Sequence, residues 1–132
     1  MKSVTVFTSN QPRHLNLINE LSKIFDEVYA IIESNTVHPG NINDFFKKSN
    51  IMQSYFSKVI ESENKFFGNL TFLPKNVAPL IIRFGDLNML DFSLLKNSLK
   101  SELFVVFGSS FIKGDLIDFL IKKNAVNIHM GV

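Results

Sequence analysis

The strongest constraint on the fold is the alternation of short β-branched, apolar segments with segments of helical periodicity. Val4–Phe7, Val28–Ile32 and Leu103–Phe107 are too short and too rich in branched or aromatic residues for helices, and we expect them to form buried strands. Around them, apolar residues recur every three or four positions, as in amphipathic helices. This alternation favours an α/β domain in which helices cover both faces of a mostly parallel sheet, with right-handed crossovers.

The remaining elements are predicted from the same patterns and complete a Rossmann-like, three-layer domain. Predicted helices are Arg13 to about Lys23, one or two within Ile42–Phe67, Asp91–Leu99 (with Asp91 as its cap) and Lys113–Lys123; predicted strands are Leu80–Ile82 and Ala125–His129. The apolar stripe between Phe45 and Phe67 is expected to pack into the core rather than to bind a partner.

Composition narrows the possible functions. With 132 residues, 45% of them hydrophobic, the chain fits one domain, and a net charge of +2 spread along the sequence does not favour nucleic-acid binding. The absence of cysteine excludes disulfides and thiolate metal sites, and three dispersed histidines do not predict a metal centre. No segment reaches the ~18 apolar residues of a membrane span, and no signal peptide precedes Val4, so we expect a cytoplasmic protein.

Two motifs that define common nucleotide-binding sites are missing from the sequence. Neither G-x-G-x-x-G nor G-x-x-x-x-G-K-[ST] occurs, so nicotinamide and nucleoside-triphosphate chemistry have no support. In a parallel sheet, ligands bind beyond the carboxyl ends of the strands. The polar residues at those ends are therefore the candidates for a site.

Asn127 and His129 are the strongest of these candidates. Two positions apart on a strand, they project from the same face, with Cα atoms roughly 7 Å apart. An imidazole exchanges protons near neutral pH, and an amide can donate to an oxygen that becomes negative in a transition state. The pair suits acyl transfer, although a turn or surface role is the commoner fate of such residues.

Other polar residues are given structural interpretations. His14, in the first turn of a helix, is expected to be solvated rather than to contact an anion. Arg83 is expected to pair with Asp86 or Glu102. Ser109–Ser110 lack the G-x-S-x-G pattern of a nucleophile elbow, so a turn or capping role is favoured.

The segments Val105–Ile112 and Val126–Val132 resemble the formyltransferases that use 10-formyltetrahydrofolate, a family that includes glycinamide ribonucleotide, methionyl-tRNA and nucleotide-sugar N-formyltransferases. The similar features are a buried strand, a turn, a helix and a second strand ending in Asn-x-His, arranged as in the family's folate-binding N-terminal domain. The run Asn-Ile-His-Met-Gly from Asn127 is most similar to the sugar N-formyltransferase branch.

The resemblance implies a role for each matched residue. Asn127 would hold the formyl oxygen and the oxyanion that replaces it, and His129 would donate to that oxyanion and assist proton transfer from the amine. The residues that would line the pterin slot are Phe107, Gly108, Ser109, Ser110, Phe111 and Ile112. Ser9, Asn10 and Gln11 lie where some family members receive the phosphate of the amine substrate, and Gly108 would permit close approach of the pterin ring or make a tight turn.

The function implied by the resemblance is transfer of a formyl group from 10-formyltetrahydrofolate, without a metal, to a primary amine, with a nucleotide-linked amino sugar favoured as acceptor. The family's third catalytic residue, an Asp after the Asn-x-His strand, has no counterpart before Val132. We therefore expect residues 1–132 to be an incomplete N-terminal domain, truncated at its C-terminus, with any oligomer formed through the missing region. The alternatives are a non-catalytic binding module and a protein similar to methionyl-tRNA formyltransferase.

Overall fold

Five parallel strands form the centre of the molecule. The computed structural model describes residues 1–34, 49–68 and 72–129, and the expectations for Phe45 and for the residues after His129 lie outside these ranges. The strands are β1 (Ser3–Ser9), β2 (Glu27–Ser34), β3 (Val77–Arg83), β4 (Leu103–Phe107) and β5 (Val126–Asn127), in the spatial order β3-β2-β1-β4-β5. The predicted α/β class with a parallel sheet is confirmed.

The strand order reverses next to β1. From β1 the chain moves outward through β2 to β3, then returns to place β4 on the other side of β1 and β5 beyond it. Val6 of β1 is in register with Ala30 of β2 and with Val105 of β4. In parallel sheets such a reversal opens a crevice at the carboxyl ends of the two central strands, which here are β1 and β4.

Helices lie on both faces of this sheet, as three layers require. They are α1 (Pro12–Ile24), α2 (Asn50–Phe67) and α3 (Asp115–Lys122). One apolar cluster lies between the sheet and α1, and its buried members are Val4, Val6, Ile18, Val28, Ala30, Ile32, Val77 and Val105. The cluster on the other face includes α3, and its buried members are Phe7, Ile31, Leu87, Leu95, Phe104, Ile112, Leu116 and Leu120.

Local sequence explains where the helices begin and end. Pro12 opens α1, a position where its missing N–H costs nothing, and Gln11 and His14 form a reciprocal capping box around that turn. Ser49 caps α2 by accepting the amide of Met52 at 3.2 Å, and Gly68, at φ 72°, ends the helix. No helix within the described ranges is both long enough and apolar enough to cross a membrane.

The segment after Asp91 differs from the predicted helix. Asp91 is a cap, as expected, since it accepts the amide of Ser93 at 2.8 Å, but the chain beyond it forms two short 3₁₀ turns, Phe92–Leu95 and Ser98–Lys100. The carbonyl of Ser98 accepts the hydroxyl of Thr5 from the sheet. Ser98 lies in the last turn of the predicted helix, where carbonyls have no partner within the helix, so this bond ties the segment to β1.

The apolar stripe of α2 also differs from expectation. No side chain of this helix is fully buried, and Ile51, Tyr55 and Phe66 are exposed. Helix α1 already covers the sheet on this side, so α2 packs on α1 as an outer element. The predicted core packing is wrong for the described part of the stripe.

The last strand is shorter than predicted. Ladder pairing covers Val126 and Asn127, opposite Val105 and Val106, although the amide of Ile128 still donates to the carbonyl of Val106 at 2.8 Å. Val126 and Ile128 are exposed. Within the part of the chain that the structure describes, the segment is therefore an edge strand.

Candidate ligand-binding pocket

A cavity of about 630 Å³ opens at the carboxyl end of β4, beside the reversal of strand order. Its walls come from the loop after β4, from α3 and β5, and from the first turn of α1. This volume is in the range of pockets that bind small molecules and cofactors. The lining includes all the residues predicted to be catalytic or to bind folate: Phe107, Gly108, Ser109, Ser110, Phe111, Ile112, Asn127 and His129.

Asn127 and His129 reach this cavity from its open edge. The pairing of Asn127 with Val106, and the bond from Ile128 to the same residue, hold the backbone against β4. Both side chains are exposed, so they are available to a ligand and contribute little to the core. An amide donor and an imidazole therefore line the same cavity, together with Ile128 between them.

His14 is not the solvated residue that the sequence suggested. Its side chain is 2% exposed and its ring lies edge-on to Phe107, with 5.0 Å between ring centroids. Burial, reinforced by the neighbouring Arg13 guanidinium, lowers the pKa of His14 from 6.5 to about 3. The ring is therefore neutral at physiological pH.

The hydrogen bonds of His14 define its tautomer. Nδ1 accepts the backbone N–H of Gln11 at 3.3 Å, so the proton of the neutral ring lies on Nε2. Nε2 is buried without a hydrogen-bond partner among the described residues, and it faces Gly108. His14 thus forms a rigid wall between α1 and the loop after β4.

Gly108 makes the tight turn that the sequence left as one of two possibilities. Its φ of +75° lies in the left-handed region, which glycine adopts more readily than any other residue. A Cβ at this position would lie 2.2 Å from Nε2 of His14. The turn needs glycine for two reasons, backbone conformation and space; close approach of a pterin ring remains a prediction.

Arg13 joins the pocket to α2. Its guanidinium pairs with Glu63 of α2 and also donates to the side chain of Gln11. The backbone amide of Arg13 donates to Glu63 at 3.5 Å, so the carboxylate also lies at the N-terminus of α1. A negative charge there is favourable, because it faces the positive end of the helix dipole.

Glu33, at the carboxyl end of β2, is a residue that the sequence analysis missed. Its side chain is fully buried and accepts hydrogen bonds from the backbone amides of Gly85 and Ser110, both at 2.7 Å, and from the hydroxyl of Ser110 at 2.8 Å. The available signal was an acidic residue directly after the buried run that ends at Ile32. Ser110 is thereby engaged in shaping the loop, in agreement with the predicted turn role.

The residues predicted to receive a substrate phosphate lie beside the cavity but do not line it. Ser9 is buried, and its hydroxyl donates to the carbonyl of Glu33 at 2.7 Å. The side-chain amide of Asn10 donates to the hydroxyl of Ser34 at 3.0 Å. Gln11 caps α1, so all three have structural contacts, and their part in substrate binding remains a prediction.

The other wall of the cavity is apolar. Ile117, Leu120 and Ile121 of α3 contribute to it, together with Ala125, and the exposed ring of Phe111 lies at its margin. An apolar wall opposite polar groups suits a flat, partly polar molecule.

Arg83 lies outside the cavity. Its Nε atom is 4.0 Å from a carboxylate oxygen of Asp86, which confirms the predicted ion pair.

The described ranges contain no cluster of three His, Asp or Glu residues able to hold a metal ion.

Comparison of the chain with protein-family models, with curated proteins and with solved structures finds no match. A functional proposal therefore rests on the resemblance of Val105–Ile112 and Val126–Val132 and on the pocket.

Proposed function

We propose that this chain binds 10-formyltetrahydrofolate in the pocket beside β4 and transfers its formyl group to a primary amine, with a nucleotide-linked amino sugar as acceptor. One observation supports the proposal: Asn127 and His129, which the resemblance assigns to the oxyanion, line the same cavity as the loop Phe107–Ile112, which it assigns to the pterin. The cavity also lies at the reversal of strand order, where α/β sheets bind ligands, and this position supports its use as a binding site.

The shape and lining of the pocket suit a pterin ring. A cavity of about 630 Å³ can accept a bicyclic heterocycle. One face of the ring would lie on Ile117 and Leu120, and its polar edge would meet the backbone of Gly108–Ile112. The formyl group on N10 would then extend toward Asn127 and His129 at the open edge.

The reaction needs few groups from the protein. The amine nitrogen attacks the formyl carbon, a C–N bond forms, and the carbonyl electron pair moves to oxygen. The amide of Asn127 and the imidazole of His129 donate to this oxyanion. The tetrahedral intermediate collapses by breaking the bond from carbon to N10, and the proton lost by the amine is transferred to N10, so the products are a formamide and tetrahydrofolate.

The acceptor class rests on the similarity of Asn127–Gly131 to the sugar N-formyltransferase branch. A nucleotide-linked sugar also carries phosphates, and the resemblance assigns their binding to Ser9–Gln11, beside the cavity. A cytoplasmic location fits such a substrate. A tRNA acceptor is less well supported, because the net charge of +2 is spread along the sequence.

A single-turnover transfer assay tests the proposal. The protein is mixed with a smaller amount of 10-formyltetrahydrofolate and with either nucleotide amino sugars or methionyl-tRNA. The N-formylated acceptor is then measured. Asn127→Ala and His129→Ala are each expected to slow transfer by about 100-fold, as loss of an oxyanion donor does elsewhere. Asn97→Ala is the matched control, since Asn97 is also exposed but lies outside the pocket.

Each outcome has a defined meaning. Unchanged transfer by Asn127→Ala would contradict the role assigned to this amide. Folate binding without transfer to any amine would show that the protein is a folate-binding module and not an enzyme. Transfer to methionyl-tRNA but to no sugar nucleotide would overturn the acceptor class and retain the reaction.

A further inference from the structure

The carboxyl ends of the strands are joined through one buried acidic residue. Glu33 is fully buried, and it lies in register with Ser9 of β1 and Ile82 of β3. Its carboxylate accepts from the turn after β3 at Gly85 and from the loop after β4 at Ser110. Through its side chain and backbone, Glu33 therefore contacts the ends of both its neighbouring strands and the loop beyond β4.

Core packing does not require an acidic residue at this position. Burial of a charge costs free energy unless hydrogen bonds compensate it, whereas an apolar residue would continue the run of Ile31 and Ile32. Three donors satisfy the carboxylate, and among the described residues no lysine or arginine pairs with it. The two backbone amides can only donate, so both carboxylate oxygens act as acceptors.

The two turns that Glu33 binds share an unusual backbone geometry. Gly85 has φ +93°, and Gly108, two residues before Ser110, has φ +75°. Turns of this kind have alternative conformations of similar energy, so an acceptor that fixes their amides selects one of them. Glu33 is placed to make that selection for the loop that lines the pocket, although Glu33 itself is not part of the lining.

We propose that Glu33 is a positioning residue for the pocket: its buried carboxylate holds the loop Gly108–Ser110 in the conformation that binds folate. The folate part of this inference rests on the proposed function. The part concerning the loop rests on the two hydrogen bonds from Ser110 alone. The two parts can therefore fail separately.

Amide hydrogen exchange, followed by NMR without ligand, tests the loop. In Glu33→Gln the side chain keeps its shape but presents an NH₂ group to one of the two amides and a neutral, weaker acceptor to the other, so exchange at Ser110 and Gly85 should accelerate by about tenfold or more. Exchange in β1 should change much less. Ser110→Ala, which removes only the hydroxyl, is a milder second variant and should accelerate exchange at Ser110 by less than Glu33→Gln does, while leaving Gly85 unchanged.

Glu27→Gln is the matched control, because Glu27 lies on the same strand at its opposite end and its carboxylate accepts a hydrogen bond from Tyr29. Amide hydrogen exchange in the loop Gly108–Ser110 of this control variant should equal that of the wild type. Equal exchange at Ser110 in Glu33→Gln and in the wild type would overturn the proposal. A uniform acceleration across all strands would also overturn it, since that would make Glu33 a general stabilising residue.

Affinity for 5-formyltetrahydrofolate, a stable formylfolate, tests the functional part. Glu33→Gln should weaken binding by about tenfold. Ile18→Val, a core substitution on the α1 face, lowers stability without touching the pocket and should leave affinity unchanged. Loop disorder with unchanged affinity would refute the positioning role, whereas no binding by the wild-type protein would refute the proposed function and leave the exchange result to decide the role of Glu33 in the loop.

Discussion

The imidazole of His14 occupies the space where a side chain on Gly108 would lie: a Cβ on that glycine would be 2.2 Å from Nε2. The two residues belong to different elements, the first turn of α1 and the loop after β4. Both residues line the cavity, and their contact joins the first turn of α1 to the loop after β4. The pocket therefore depends on a small residue and a rigid ring that are far apart in sequence.

The first prediction concerns Gly108→Ala. The ring of His14 cannot easily move away, because Gln11 binds its Nδ1 and Phe107 lies against its edge. We expect a loss of about 1–3 kcal/mol from positive φ and about 1–3 kcal/mol more from overpacking. Urea unfolding measures the sum.

Gly114→Ala is the control for the steric part. Gly114 also has positive φ, +68°, but a Cβ there meets nothing within 4 Å. Its substitution should cost only the backbone strain. In the Gly108→Ala background, His14→Ala should recover stability by removing the clash; a double variant no more stable than the additive sum would refute the contact.

The second prediction concerns acid. The pKa of His14 is 6.5 in the unfolded chain but about 3 in the folded protein, because the buried ring resists protonation. Between these values the unfolded state binds more protons, so this contribution to stability is full above pH 6.5 and is lost as the pH falls toward 3. The slope from this group is at most about 1.4 kcal/mol per pH unit.

Denaturation of His14→Gln at a series of pH values isolates this contribution. The carboxylates titrate in both proteins, so the difference in slope between pH 6 and pH 4 belongs to His14. A shallower slope in the variant is expected. Identical slopes would show that the imidazole is accessible to protons in the folded state.

The third prediction concerns the attachment of α2. No residue of α2 is fully buried, so apolar packing holds this helix weakly. Glu63 of α2 is only 12% exposed, and its carboxylate pairs with Arg13 of α1. Glu63→Gln should destabilise the protein by about 1–2 kcal/mol and increase proteolysis within α2 more than within the sheet. Glu61→Gln, on an exposed position of the same helix, should change neither; equal behaviour of the two variants would contradict the anchoring role.

The fourth prediction separates function from stability at the open edge of the pocket. Asn127 and His129 are exposed, so replacing either with alanine should change the free energy of unfolding by less than about 0.5 kcal/mol. Thermal unfolding of each variant checks this. A large loss of stability in His129→Ala would favour a structural role for the imidazole.

The central strands could be predicted from sequence because each is buried on both faces. Leu103–Phe107 forms β4 with the bounds expected from its apolar run, and β1 and β2 extend the predicted segments by only one or two residues at each end. Parallel order placed the candidate residues at one edge of the sheet. Of the candidates at that edge, the loop after β4 and Asn127 and His129 line the cavity, whereas Ser9–Gln11 do not.

The features that escaped prediction depend on contacts between distant segments. Nothing near His14 in the sequence shows that Gly108 and Phe107 will cover it. The periodicity of α2 reveals an apolar stripe but not that α1 already occupies the sheet face beneath. Glu33 ends an apolar run like any strand-terminating residue, and only the folded loops bring two backbone amides to its carboxylate.

A titration with 5-formyltetrahydrofolate, followed by amide chemical shifts, tests the central claim most directly. Saturable changes should concentrate at Phe107–Ile112 and at Asn127, while Ile81 on the far strand should not respond. Asn127→Ala should retain binding, because its amide is assigned to the transition state more than to the ground state. The absence of saturable changes at the loop, or changes centred on α2, would contradict the account.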